Sequence, residues 1–105
     1  MVQDKNRQKI KVIVDPDLQD LIPGFLQNRW NDVSKLHGAT EVDDFETICT
    51  LGHRMRGDGG GYGFAMISEI GHAIEDAAKG KDLVEIRRLV DELQRYLDCV
   101  EVIYE

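Results

Sequence analysis

Cysteine is nearly missing: Cys49 and Cys99 are the only two in 105 residues. They form no C-x-x-C pair and stand at no metal-type spacing from the histidines, which argues against a zinc site and a disulfide-stapled scaffold. Two buried, reduced thiols are expected, because a free cysteine packs as a small hydrophobe. Aromatics are 7% of the chain, and Lys+Arg number 13 against 20 Asp+Glu, for a net charge of −7. Nucleic-acid backbones are gripped by clustered cations, and no basic patch with interleaved aromatics occurs here, so no nucleic-acid partner is expected. No apolar run approaches the roughly 20 residues of a membrane span, so no membrane insertion is expected. The polar start from Met1 to Lys9 lacks the apolar centre of a signal peptide, which points to the cytoplasm.

What remains is an ordinary soluble composition, 42% hydrophobic and 31% charged. Its length suits one domain over residues 1–105, with 1–9 as a flexible N-terminal segment. The β-branched run at 10–14 reads as extended. Asp15-Pro16-Asp17 then reads as a helix start, with Asp15 as cap and Pro16 at the first helical position. Leu18, Leu21, Ile22, Phe25, Leu26, Val33 and Leu36 recur at helical spacing, and Pro23-Gly24 predicts a kink or split in that run. His37-Gly38-Ala39-Thr40 reads as a turn, with His37 as a cation at the helix end. Asp43 with Glu46 forms a capping-box-like start for a second helix.

That second helix carries an apolar stripe of Phe45, Ile48, Cys49, Gly52 and Met55. The four glycines between Asp58 and Gly63 read as a loop. A third helix is predicted from Phe64 to Lys79, with Ile67, Ile70, Ile74, Ala77 and Ala78 inward and Gly80 as its stop. Asp82 caps a fourth, in which Leu83, Ile86, Val90, Leu93, Leu97 and Val100 hold a regular spacing. The fold class expected is all-α, an antiparallel up-down four-helix bundle. Short extended segments at 10–14 and 100–104 are expected to pair with each other.

The chemistry concentrates in Leu51-Gly52-His53-Arg54-Met55-Arg56-Gly57. Residues three and four apart share a helix face, so Arg56 can reach a phosphoryl group carried by His53, while Gly57 leaves that face bare. His53 falls about 120° from the centre of the apolar stripe, on the flank and not in the core. Gly52 and Gly71 lie on the inner stripes of successive helices, where close helix approach behind the histidine offsets their cost of about 0.5–1 kcal/mol. A neutral imidazole is available at pH 7, its free pKa being near 6.5. A lone histidine with a cation three residues on is nonetheless also the description of an ordinary surface residue.

The segment 51–57, with Gly63 ten residues after His53, resembles the histidine-containing phosphotransfer (HPt) domain motif, H-x-x-K-G followed by a later glycine. Leu21-Ile22-Pro23-Gly24-Phe25-Leu26, Ile67-Ser68-Glu69-Ile70-Gly71 and Ile74-Glu75 are also similar to stretches of such domains. The resemblance implies a four-helix bundle whose exposed histidine shuttles phosphoryl groups between receiver-domain aspartates. His53 is then the phospho-acceptor, Arg56 stands where the family has lysine, and Gly57 and Gly63 are the structural glycines. Arginine departs from lysine in reach and fork geometry, which alters the detail of phosphate stabilisation. The implied partners are response-regulator receiver domains and a hybrid histidine kinase. No resident cofactor or metal is implied, since the receiver brings its own Mg2+, and the chain is a carrier and not an enzyme.

Docking is expected across the first two helices around His53, with Tyr62 and Phe64 as packing residues that border the surface. A monomer is expected. His72, without a glycine four residues on, reads as a surface histidine. Asp43, Asp44 and Glu46 are accounted for by capping and not by a metal. A helical adaptor or dimerisation module that is never phosphorylated is the competing reading, and a metal site using His53 and His72 a weaker third.

Overall fold

The computed structural model describes residues 9–105; of the expected flexible segment 1–9, all but Lys9 lies outside the described residues. Two strands, β1 (Ile10–Val14) and β2 (Val100–Tyr104), enclose four helices in sequence: α1 (Ile22–Glu41), α2 (Phe45–Gly61), α3 (Ala65–Lys79) and α4 (Leu83–Cys99). Each helix packs against the next, and α4 returns to pack against α1. Their inward stripes meet in one core that includes Leu36, Ile48, Met55, Ile67, Ile74, Ile86 and Leu93, all fully buried.

The expected pairing of the two extended segments is present and is parallel, with Ile10 opposite Val100 and Val14 opposite Tyr104. Val14 is buried on the helical core, and Val12, Val100, Val102 and Tyr104 pack against it partly buried. Residues of one parity thus tie both ends of the chain to the helices, as the two-residue period of a strand requires.

Helix boundaries differ from expectation in several places. Asp15 caps only a single 3-10 turn, Pro16–Leu18, by accepting from the backbone N–H of Asp17. The split falls at residues 19–21, and Pro23 sits in the first turn of α1, where its missing N–H costs nothing. The segment 37–40 is helix and not turn, because Leu36, Ala39 and Thr40 extend the buried stripe of α1 by another turn. Asp44, not Asp43, caps α2, accepting from the N–H of Thr47. The glycine-rich segment 58–61 is the last turn of α2, because Gly59 is buried against α3; a Cβ there would lie 2.6 Å from the backbone nitrogen of Ser68.

All three connections between helices use one design. In Val42-Asp43-Asp44, Tyr62-Gly63-Phe64 and Gly80-Lys81-Asp82, the middle residue is left-handed, with φ of 54°, 89° and 54°. The third residue of each donates its N–H five residues back, Asp44 to Ala39, Phe64 to Gly59 and Asp82 to Ala77, at 2.9, 2.7 and 3.0 Å. The middle residues donate to Thr40, Gly60 and Ala78. These paired bonds are Schellman motifs, which satisfy the last carbonyls of a helix. The third residue is at once the N-cap of the next helix, so each reversal needs only three residues.

Candidate functional site

Helices α2 and α3 approach each other through glycine. A Cβ on Gly52 would lie 2.7 Å from the backbone nitrogen of Glu75 and from the carbonyl oxygen of Gly71. A Cβ on Gly71 would lie 2.7 Å from the backbone nitrogen of Arg56 and from the oxygen of Gly52. Only hydrogen fits in either place. This backbone contact, directly behind His53, lets a side chain of α3 reach the imidazole on α2.

That side chain is Glu75. Its Oε2 lies 3.1 Å from His53 Nδ1, and its Oε1 lies 3.5 Å from Arg56 Nη1. Lys79, one turn on in α3, brings its Nζ to 3.6 Å from Oε2. The Glu75 side chain is 8% exposed, against 69% for His53 and 50% for Arg56. Burial opposes the charge of Glu75, but hydrogen bonds from His53 and Arg56 and the charge of Lys79 outweigh it and hold the carboxyl below its ordinary range. An ionised carboxylate only accepts, so Nδ1 is the donor to Glu75, an arrangement that in the neutral ring leaves the lone pair on Nε2. The ring is oriented from below and open above.

Surroundings keep that opening clear. Nothing lies within 4 Å of where a Cβ on Gly57 would project, and Gly57 is exposed one turn beyond His53. Gly63 is exposed in the α2–α3 reversal, where its φ of +89° demands glycine. The other expected border residues divide. Tyr62 is half-buried, its ring centroid 4.6 Å from that of Phe25. Phe64 is fully buried and 5.1 Å from Phe25, so it supports the surface from beneath and does not border it.

The remaining histidines and cysteines lie elsewhere. His72 is exposed with Nε2 3.3 Å from Asp76. His37 sits within α1, not at its end, with Nε2 3.3 Å from Gln94 of α4. Cys49 and Cys99 are free and only half-buried, which corrects the expected full burial. Among the described residues, no group of three or more His, Cys, Asp and Glu could hold a metal ion.

Two features carry no role in the sequence reading. One is the pair Glu75 and Lys79; Glu75 stands four residues after the inward Gly71 and eight after buried Ile67, so a charge on the buried face is its signal. The other lies on the opposite flank of α2, where buried Arg29 and Asp32 of α1 form an ion pair at 3.0 Å. The Arg29 Nε is out of line for a hydrogen bond there and has no other partner; Arg29 also meets Asp58 of α2 at 3.4 Å and lies 4.9 Å over the Phe25 ring. Burial pushes the Asp32 carboxyl up, against the pull of Arg29, Lys35 and Arg54. This cluster joins α1 to α2 without touching the imidazole. No protein-family model matches the chain, and neither a curated protein nor a solved structure matches it.

Proposed function

We propose that the chain is a histidine phosphotransfer domain, an antiparallel up-down bundle that carries phosphoryl groups on His53 between receiver-domain aspartates. The observation that carries this reading is the contact at 3.1 Å between His53 Nδ1 and buried Glu75, which leaves Nε2 of an exposed ring as the free nucleophile. The Nε2 lone pair attacks the phosphorus of a receiver's acyl phosphate, and the P–O bond electrons leave with the aspartate oxygen. Arg56, half-exposed beside the ring, is placed to offset the charge of the bound phosphoryl group by a charge-assisted hydrogen bond. Gly57 leaves room for the receiver to approach. The Mg2+ that stabilises the transferring group belongs to the receiver, so this chain acts as a carrier and not as an enzyme. Its partners on this reading are receiver domains and a hybrid histidine kinase, met in the cytoplasm by a monomer.

Intact-mass measurement after mixing with a phosphorylated receiver and Mg2+, at neutral or alkaline pH, tests the reading. One phosphoryl group is expected on the wild type and none on His53→Gln, whose circular dichroism should stay native because the side chain is exposed. A folded protein that takes no phosphoryl group from a panel of receivers is instead a helical adaptor.

A further inference from the structure

We propose that the cleft between the start of α1 and the end of α2 seats one basic side chain, lysine or arginine, from the docking face of the receiver, with Asp58 as its counter-charge. This rests on the carrier reading of His53 and names a group that selects the partner. The cleft measures about 290 Å3 and is walled by Leu21, Phe25 and Tyr62, with Asn28, Arg29 and Asp58 as its polar groups. Arg29 is turned inward, its side chain 9% exposed, and lies 3.0 Å from buried Asp32. Asp58 stands 52% exposed, at a long 3.4 Å from the same guanidinium. One cation thus faces two carboxylates, and the one left short of compensation is the one open to solvent. Among the described residues, no other Lys or Arg lines the cleft. The chain leading into it adds Asp17 and Asp20, both exposed, just before Leu21. A cation is the occupant that balances this charge.

The walls specify the shape of that occupant. The Phe25 and Tyr62 rings lie 4.6 Å apart, and Leu21 is exposed at the rim. Lysine and arginine lay their hydrocarbon stems along such apolar surface while the charged head reaches a polar partner. A cation beside an aromatic ring gains further attraction. An apolar side chain in its place would cover Asp58 and leave a carboxylate with too little charge opposite it, which is costly. The position relative to His53 fits a single partner. Asp58 lies on α2 five residues after His53, about 7.5 Å farther along the axis and about 140° around it. Gly57 and Gly61 fall in the arc between the two, and at both a Cβ would meet nothing beyond its own helix within 4 Å. Across this bare ridge one receiver reaches both places, its aspartate at His53 and its basic side chain in the cleft.

The test compares the full chain with Asp58→Asn, which keeps an acceptor oxygen beside Arg29 and should keep a native circular dichroism spectrum. With a phosphorylated receiver that loads the wild type, the KM for that receiver should rise about fivefold in the variant while kcat holds. The salt dependence of transfer should flatten, because one screened attraction is gone. Loading by phosphoramidate, a small donor that needs no receiver, checks that His53 itself is intact. Each lysine and arginine on the receiver's docking face is then changed to alanine. One of them should cost the wild type a similar factor and cost Asp58→Asn nothing more, the mark of a direct pair. An unchanged KM in folded Asp58→Asn, or no receiver cation coupled to it, overturns the proposal. A second arm needs no receiver: amide shifts are followed while Nα-acetylarginine amide, or its neutral analogue Nα-acetylcitrulline amide, is added. Saturable shifts at Asp58 and Tyr62 with the arginine compound alone, lost in Asp58→Asn, support the cation seat; an equal response to both compounds, or none, overturns it. Failure of every receiver to load a chain that passes this second arm would sink the relay reading and leave the seat standing.

Discussion

A side chain at position 57 would project into open space on the flank that carries His53, with nothing beyond the local backbone of its own helix and its chain neighbours within 4 Å of its Cβ. Within a helix, glycine costs about 0.5–1 kcal/mol relative to alanine. The position therefore sacrifices stability where packing asks for nothing, and on the proposed carrier reading that glycine keeps clear the approach to Nε2. Gly57→Glu separates the two effects. Its unfolding free energy should rise by a few tenths to about 1 kcal/mol in urea titration, because a helix former replaces glycine on an exposed face. Phosphoryl transfer from a receiver should fall by about tenfold or more, equivalent to roughly 1.4 kcal/mol of lost complex stability. Loading by phosphoramidate should continue, since the nucleophile is untouched. Transfer at the wild-type rate would remove Gly57 from the docking surface.

The three reversals between helices show the same economy with different residues. Only Gly63 is a glycine at the left-handed position; Asp43 and Lys81 adopt φ of 54° there. A non-glycine residue in that region costs about 1–2 kcal/mol, part of which glycine gives back through its freer unfolded chain, about 0.4–1 kcal/mol. Lys81→Gly should therefore stabilise the protein by roughly 0.5–1 kcal/mol, and Gly63→Ala should cost about 1 kcal/mol or more, both read by thermal unfolding. This arrangement also explains which elements were legible. The stripes of α2, α3 and α4 and the Asp82 cap were readable because burial enforces a helical period and caps act locally. Residues 37–40 and 58–61 misled because glycine marks turns on average, whereas here Ala39 and Gly59 are buried against neighbouring helices, a tertiary fact. The parallel direction of β1 and β2 was equally hidden, since five-residue strands carry no orientation in their alternation. At the site, local spacing placed His53, Arg56 and Gly57 on one helix, but Glu75 lies 22 positions after His53 and meets it only across the Gly52–Gly71 contact, with Lys79 in turn pairing to Glu75.

Across the whole molecule, 20 carboxylate side chains against 13 Lys+Arg make acid the informative stress. Among the described residues, three carboxyls are held below their ordinary range. Asp44 is lowered by hydrogen bonds from the Thr47 side chain and backbone, Glu85 chiefly by Arg88, and Glu75, despite opposing burial, by His53, Lys79 and Arg56. A group with a depressed folded pKa binds protons more readily when unfolded, so its contribution is present above the unfolded carboxylate pKa, near 4, and is lost as pH falls below it. Asp32 runs the other way, because burial raises its pKa and acid relieves its buried charge. Three groups against one give a net loss of stability below about pH 4, measurable as a falling urea midpoint. Asp44→Asn isolates one contributor. Asparagine caps a helix about as well as aspartate, so stability near pH 7 should change little. Asparagine does not titrate, so the acid slope of stability should shrink by up to one proton's worth. An Asp44→Asn slope identical to the wild type would show that this cap works by shape alone and that the acid sensitivity lies with Glu75, Glu85 and the remaining carboxylates.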